Sequence, residues 1–468
     1  MKRQFVFSDH KWLSLDDEVA PIYNDWDVYG TALAYKGILQ ELKDNRQYDY
    51  FQNHVWPLIG PIRKLQKHGL FLNVQALKDH RVKIGAELKE LNEAILHYSD
   101  DKSINIDSNE QMAELLYGKL GLRCHKYTDS GMPSMDQEAL FLCHAGLRKK
   151  DERHRPLLEH LFHRSKLKTI QERYLNVEAD ADGRVRPRIK FPGTETFRLA
   201  YADPPEQQRP ESVRNIYCAA PGYILIGADY SQLEARIMSY LADDKPSIAV
   251  FEADEDIHNA NVLDLFGLIY EEFNKLEAKP AKDLRDFAKS FLYRLMYGGS
   301  ATHSKQKFFC PCPKCAGRAG KGIKRSEIRE ADTRWLMLHP NVPAWRKRLV
   351  WQVRANGWYT DPYGGRRCFM APMSEVEREL YNYPMQKTAA DIVNESMIIG
   401  DREYNMPFFM QMHDFLGIEV PIEEAETWKF RLHEVMTRKI PQMGDVSFPV
   451  ELKMGYNWRD MHKTKLNG

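Results

Sequence analysis

The feature that most constrains this chain is a carboxylate set where a buried strand gives way to a helix. In ILIGADYSQLEARIMSYL, the run Ile224-Leu225-Ile226 reads as an inward-facing strand with Asp229 at its end. Leu233, Ile237 and Leu241 then recur with a helical period. An acid at the mouth of a buried strand is costly unless a positive group meets it. The chain has 468 residues, 43% of them hydrophobic, enough for more than one lobe. Its 67 Lys and Arg against 66 Asp and Glu neither indicate nor exclude a nucleic-acid partner. The cation that Asp229 meets must therefore be sought in local patterns.

No apolar run approaches the ~20 residues needed to cross a bilayer. The start, MKRQFVFSDHKW, lacks the long apolar stretch of a signal peptide. Seven cysteines, three of them in CPCPKC, argue against a disulfide framework. The expectation is a reduced, soluble protein acting in the cytoplasm, nucleoid-associated or, if viral, in the host cytoplasm, with no membrane partner. Helical patterning dominates 51–120, and 183–210 has the turn-rich, β-prone character of strands and loops. A helical region from about 256 to 297 stops at Gly298-Gly299, and helices resume around 325–357 and 375–400. The alternation predicts an α+β fold of several lobes.

Asp229 has a candidate partner in Asp414. In FFMQMHDFLGIEV two β-prone runs flank His413-Asp414, as in a hairpin with its acid near the turn. Two carboxylates brought together from separate strands repel each other unless they share a proton or bind a metal. Mg²⁺ suits such a site, since it takes one or two carboxylates plus substrate phosphates. The opposing reading is an N-cap aspartate and a turn aspartate, both solvated. A second constellation lies in RDFAKSFLYRLMYGG, where Arg285, Lys289, Tyr293 and Tyr297 follow at four-residue steps. Each step advances about 400°, so the four form a slowly winding stripe, cations first and rings last. A triphosphate fits the cations and a base fits the rings, although a solvated amphipathic helix gives the same pattern. His258, upstream in DEDIHNANVLDLFG, is placed for a third phosphate contact.

In this order, DYSQLEAR, the R-x3-K-x3-Y-x3-YG stripe and the HD hairpin resemble motifs A, B and C of family A DNA polymerases. TFRLAYADPPEQQ resembles that family's T-G-R-L-S-S-x-D-P-x-x-Q segment, and NYPMQKTAADIV its N-x-P-M-Q-G-T-A-A-D helix. SKLKTIQERYL and QMAELLYGKLGLRCHKYTDSGMPSMDQEAL are similar to its thumb helix and thumb tip. The resemblance covers nearly everything from residue 51 onward and implies a right-hand fold, its palm built on an antiparallel sheet. The lobes implied are a helical lead-in and thumb at 51–190, a palm at 191–255 and 366–468, and fingers at 256–365.

By this resemblance Asp229 and Asp414, with the Tyr230 carbonyl, hold two Mg²⁺ ions for which Mn²⁺ can substitute, and Arg285, Lys289 and His258 contact the phosphates. Lys289 is also the candidate proton donor to pyrophosphate. Glu234 is implied to be the steric gate against a ribose 2′-hydroxyl. Tyr293 and Tyr297 are implied at the nucleotide and the templating position. Arg198, Arg378, Asn382 and Gln386 match minor-groove contacts to primer and template, and Gln232 and His413 match primer-end residues. The implied function is template-directed addition of dNTPs to a primer on primer–template DNA. Its alternatives are a single-subunit RNA polymerase and a catalytically silent DNA-binding subunit.

Three departures stand out. Phe415 replaces the glutamate of the family's usual His-Asp-Glu, and Phe197 replaces the glycine of Gly-Arg-Leu. Residues 1–50 carry only Tyr23-x3-Asp27 of the family's 3′–5′ exonuclease motifs, which reads as a remnant without proofreading. A separately encoded exonuclease or processivity factor is the partner this implies. An insertion near 303–322 carries Cys310, Cys312 and Cys315, with His303 as a fourth candidate ligand for a structural Zn²⁺. A reduced surface loop, or a basic tail brushing single-stranded template, is the other reading of it.

Overall fold

The computed structural model describes residues 19–98, 103–266, 271, 274–275, 278–299 and 325–466. The chain divides into two compact units. One comprises Met1–Ile59 and Ile237–Asp391, the other Gly60–Arg236 and Ile392–Gly468.

The second unit is built on an antiparallel sheet of five strands. They are β1 (Tyr223–Tyr230), β2 (Phe408–Met412), β3 (Phe415–Pro421), β4 (Val450–Gly455) and β5 (His462–Lys463). Their order across the sheet is β5-β4-β1-β3-β2. β1 is central, and Leu225, Ile226 and Ala228 are buried within it. Such a run of apolar residues is what a strand covered on both faces requires. Helix Ala425–Met436 packs against β1, burying Leu432, Val435 and Met436. In the register, Asp229 stands opposite Phe415 on one side and Glu451 on the other.

Away from the sheet, helices Val74–His97 and Arg155–Tyr174 pack together. Ile95, Leu157, Leu158 and Leu161 form a core there with Leu116 and Leu140. Asn73 starts the first of these helices, its side chain accepting the Ala76 N–H at 3.0 Å. The 183–210 segment forms the short strands Arg184–Val185, Arg188–Lys190 and Ala200–Ala202, as its composition predicts.

The first unit is mainly helical. Leu284, Ala288, Phe291, Leu292 and Leu295 of helix Ala278–Met296 are buried, a spacing that puts them on one face. The predicted stop holds. Gly298 takes a left-handed φ of +67°, and the Gly299 N–H donates to the Arg294 carbonyl at 2.8 Å. Within the expected 256–297 helical region, the described residues form helices Ile257–Phe266 and Ala278–Met296.

Helix Met373–Tyr404 carries an unexpected charge inside this unit. Lys387 is buried, with its Nζ 2.6 Å from the Tyr50 hydroxyl, paired to Asp391 and 3.3 Å from Asp361 Oδ2. Burial, with a push from Asp361 and a counter-pull from Lys387, raises the Asp391 carboxyl to about 7. Among the described residues no helix is long and apolar enough to cross a membrane.

Candidate active site

His413 and Asp414 make the two-residue connection between β2 and β3, for Met412 pairs with Phe415. His413 has a φ of +55°, the left-handed backbone that tight hairpins favour. The Tyr230 N–H donates to the backbone carbonyl of Asp414 at 3.1 Å, tying the end of β1 to the turn. The two acids singled out in the sequence therefore meet at the ends of paired strands. Burial first, and the charge of Asp229 second, push the Asp414 carboxyl up to about 7. The cation acting against that push is Arg198, which is itself paired with Glu234. Two acids brought together, one of them raised by the charge of the other, offer oxygen ligands that fit a hard divalent cation.

Around this pair the second unit gathers Arg198, Gln232, Glu234 and His413. Gln232, at φ +56°, turns β1 into helix Leu233–Ala242 and accepts the Arg236 N–H on its carbonyl at 3.1 Å. The His413 imidazole is held below its usual pKa by burial and by Arg198, with Glu234 and Asp229 pulling the other way. Tyr230 turns its side chain away into the core. Its hydroxyl donates to the Met436 carbonyl at 2.7 Å and lies 3.0 Å from Ser396 Oγ. Only its backbone is left for the site.

Two lysines in the row beside Asp229 carry no local signal in the sequence, whereas Phe415 is a departure visible in it. Lys453, on β4, places Nζ 3.4 Å from Asp229 Oδ2 and 3.2 Å from Glu451 Oε1. Lys463, on β5, closes the row with Nζ 2.5 Å from Glu451 Oε2. Phe415, where the family's motif has glutamate, lays its ring over Gly227 and Gly417, which face each other across β1 and β3. A Cβ on either glycine would overlap that ring. The departure thus replaces a charge with an apolar lid over the strand behind Asp229.

In the first unit the expected stripe is present. Arg285 is held by Asp256, with Nη2 2.7 Å from Oδ2, a partner the sequence did not single out. The rings of His258 and Tyr293 are 6.1 Å apart, and those of Tyr293 and Tyr297 6.0 Å apart. Burial first, then Arg285 and Lys289, push the His258 imidazole down to about 4 against Asp256 and Asp286, so it is neutral at pH 7. Arg378, Asn382 and Gln386 lie at four-residue steps on helix Met373–Tyr404, Arg378 exposed and the other two half-buried. Tyr23 and Asp27 lie on helix Val19–Asp44, with Asp27 exposed. His303, Cys310, Cys312 and Cys315 lie outside the described residues.

The defining sequence pattern of DNA polymerase family A matches residues 74–460. DNA polymerase I of Bacillus subtilis is 26% identical over 446 residues, covering 90% of this chain and 47% of that protein. The thermostable DNA polymerase I of Thermus filiformis is 27% identical over 423 residues, covering 86% and 47%. The chain thus spans about half the length of the curated relatives it matches. Among solved structures, the POL domain of Pol1 from M. smegmatis, in complex with DNA primer-template and dNTP, matches with a TM-score of 0.75 at 23% identity. That match covers 91% of this chain and 74% of the other, and concerns the fold: α+β, with an antiparallel palm sheet. A family pattern running through most of the chain, and through both strand ends where the acids meet, makes this chain a member of DNA polymerase family A.

Proposed function

We propose that the chain is a template-directed DNA polymerase, adding deoxynucleotides from dNTPs to the 3′ end of a primer on primer–template DNA. One observation carries the reading: Asp229 and Asp414 meet at paired strand ends, with Asp414 raised by burial and by its neighbour. Asp229, Asp414 and the Tyr230 carbonyl would hold Mg²⁺, with Mn²⁺ as a substitute. Two such ions, when bound, make the primer hydroxyl a better nucleophile and neutralise charge on the triphosphate and departing pyrophosphate.

The chain's own groups do the rest. Arg285 and Lys289 bind phosphate oxygens as cations. His258, neutral at pH 7, offers an N–H rather than a charge. Lys289 gives a proton to the leaving pyrophosphate. Glu234, held by Arg198, fills the space beside the sugar where a 2′-hydroxyl would sit. Tyr293 and Tyr297 flank base and template. Arg198, Gln232, Arg378, Asn382, Gln386 and His413 contact primer and template, where minor-groove acceptors sit alike in all correct pairs. In this reading the thumb lies within 51–190, the palm at 191–255 and 366–468, and the fingers at 256–365. The enzyme works in the cytoplasm, with a separately encoded exonuclease or processivity factor as a further partner. A Zn²⁺ on the cysteine insertion would be structural.

Extension of a primed template with Mg²⁺, comparing dNTPs with rNTPs, tests the proposal. DNA synthesis from dNTPs alone is expected. No extension on any primed template favours a silent DNA-binding subunit, and equal use of rNTPs favours an RNA polymerase. Two substitutions refine it. Glu234→Ala is expected to relax discrimination against rNTPs by about 10- to 100-fold, since the side chain that fills the space is removed together with its pairing to Arg198. Tyr293→Phe is expected to weaken incorporation of dideoxynucleotides by about tenfold, the worth of one hydrogen bond from the lost hydroxyl, while ordinary extension is kept. Competition between dideoxy- and deoxynucleotides reads the second effect, and unchanged discrimination would remove Tyr293 from the nucleotide site.

A further inference from the structure

Asp229 is the proposed metal ligand with a cation already on it. Lys453 reaches it from β4, a strand whose register puts Lys453 opposite Gly227 and Glu451 opposite Asp229. With side chains alternating along each strand, Asp229, Gly227, Glu451 and Lys453 share one face of the sheet. Lys453 Nζ lies between two carboxylates, 3.4 Å from Asp229 and 3.2 Å from Glu451. Glu451 is in turn held by Lys463. Lys453 can therefore give up Asp229 and keep Glu451, so release of Asp229 leaves the ammonium paired.

We infer that Lys453 is a positioning residue that pairs with Asp229 and sets the affinity of the Asp229–Asp414 pair for a divalent ion. The inference rests on the metal-binding reading of that pair. Lys453 acts through Asp229 in two opposed ways, holding the carboxylate in place while also competing for its oxygen. Competition dominates because Asp229 is also anchored by β1, paired on both sides by β3 and β4. The side chains of Asp229 and Lys453 are 37% and 30% exposed, so solvent weakens the attraction without removing it. The local charge balance points the same way. An apolar ring stands at Phe415, and Lys453 adds positive charge beside the acids, both of which lower the field that draws in a cation.

The test is Mn²⁺ binding to the 468-residue chain without DNA or nucleotide, read by the electron paramagnetic resonance signal of free Mn²⁺. Lys453→Met keeps the length of the stem and removes the charge, so it is expected to tighten Mn²⁺ binding by on the order of tenfold. Lys453→Arg keeps the charge and is expected to retain wild-type affinity, which a purely steric role would not predict. Asp229→Asn is expected to remove the site in either background. If Asp229→Asn abolishes binding while Lys453→Met leaves it unchanged or weaker, the role given to Lys453 is overturned and the metal site stands. If Asp229→Asn leaves Mn²⁺ binding untouched, the metal reading of the pair fails and the inference fails with it. Thermal unfolding of each variant without metal checks that the sheet is intact. A misfolded Lys453→Met is replaced by Lys453→Gln, for which the same tightening is required.

Discussion

Asp414→Asn is expected to lower primer extension on the order of 10³-fold while leaving the protein folded. The side chain supplies one of the two carboxylate ligands for ions whose charge stabilisation is worth several kcal/mol, and each ~1.4 kcal/mol is a factor of ten in rate. Asparagine keeps the size and one oxygen but not the charge, so it fills the turn without replacing the ligand. Stability should move the other way. The folded-state pKa of Asp414 is raised to about 7, so the folded protein holds this proton more tightly than the unfolded chain does. That contribution is present in full below the unfolded pKa, and it is lost as pH rises through about 7. At pH 8 the ionised acid therefore costs stability, and asparagine removes the cost. The melting temperature of Asp414→Asn at pH 8 is expected to equal or exceed that of wild type. Retention of more than about a tenth of wild-type extension would remove Asp414 from the chemistry.

Lys387→Met has the largest expected effect on stability. Methionine matches the lysine stem in length but leaves Asp361 and Asp391 facing each other with no cation between them. Stranding buried charge in this way costs about 3–5 kcal/mol. The loss should depend on pH. Asp391 is raised to about 7 even with Lys387 present, so folding favours its protonated form. The stability this contributes is complete below about 4 and disappears as pH rises through about 7. The Lys387→Met penalty is thus expected to be largest near pH 8 and to shrink towards pH 5, where Asp391 takes up its proton. Denaturant unfolding at the two pH values measures it. A penalty that does not change with pH would mean that lost packing, not stranded charge, is responsible. Because Gln386 precedes Lys387 on the same helix, a proposed DNA contact is carried next to the ion partner of Asp391, whose carboxyl is raised to about 7.

How far the site could be read from sequence follows from the range over which each signal acts. Asp229 was legible because an apolar run and then a 3.6-residue period bracket it within about two turns of chain. His413-Asp414 was legible for the same reason, two β-prone runs being separated by a two-residue turn. The Arg285–Tyr297 stripe needs only helical spacing. By contrast, Lys453 and Glu451 reach Asp229 through a ladder between β1 and β4, and nothing local in VELKMG tells which strand it will lie beside or in what register. Lys387 was silent for a related reason. A lysine within a helix reads as solvated until the fold brings Tyr50 and Asp361 to it. Asp256 was passed over although only two residues from His258, since an acid near a helix start has an ordinary local explanation.

The aromatic lid over β1 and β3 limits how this chain can change. An acid restored at 415 would vacate the volume above two facing glycines, and neither 227 nor 417 can fill that volume while the ring remains. Single-step exchange at any one of the three positions passes through a void or a clash. Residues 227 and 415 are therefore expected to vary together in close relatives, whereas 417 stays glycine, because a Cβ there would also overlap the Phe409 ring.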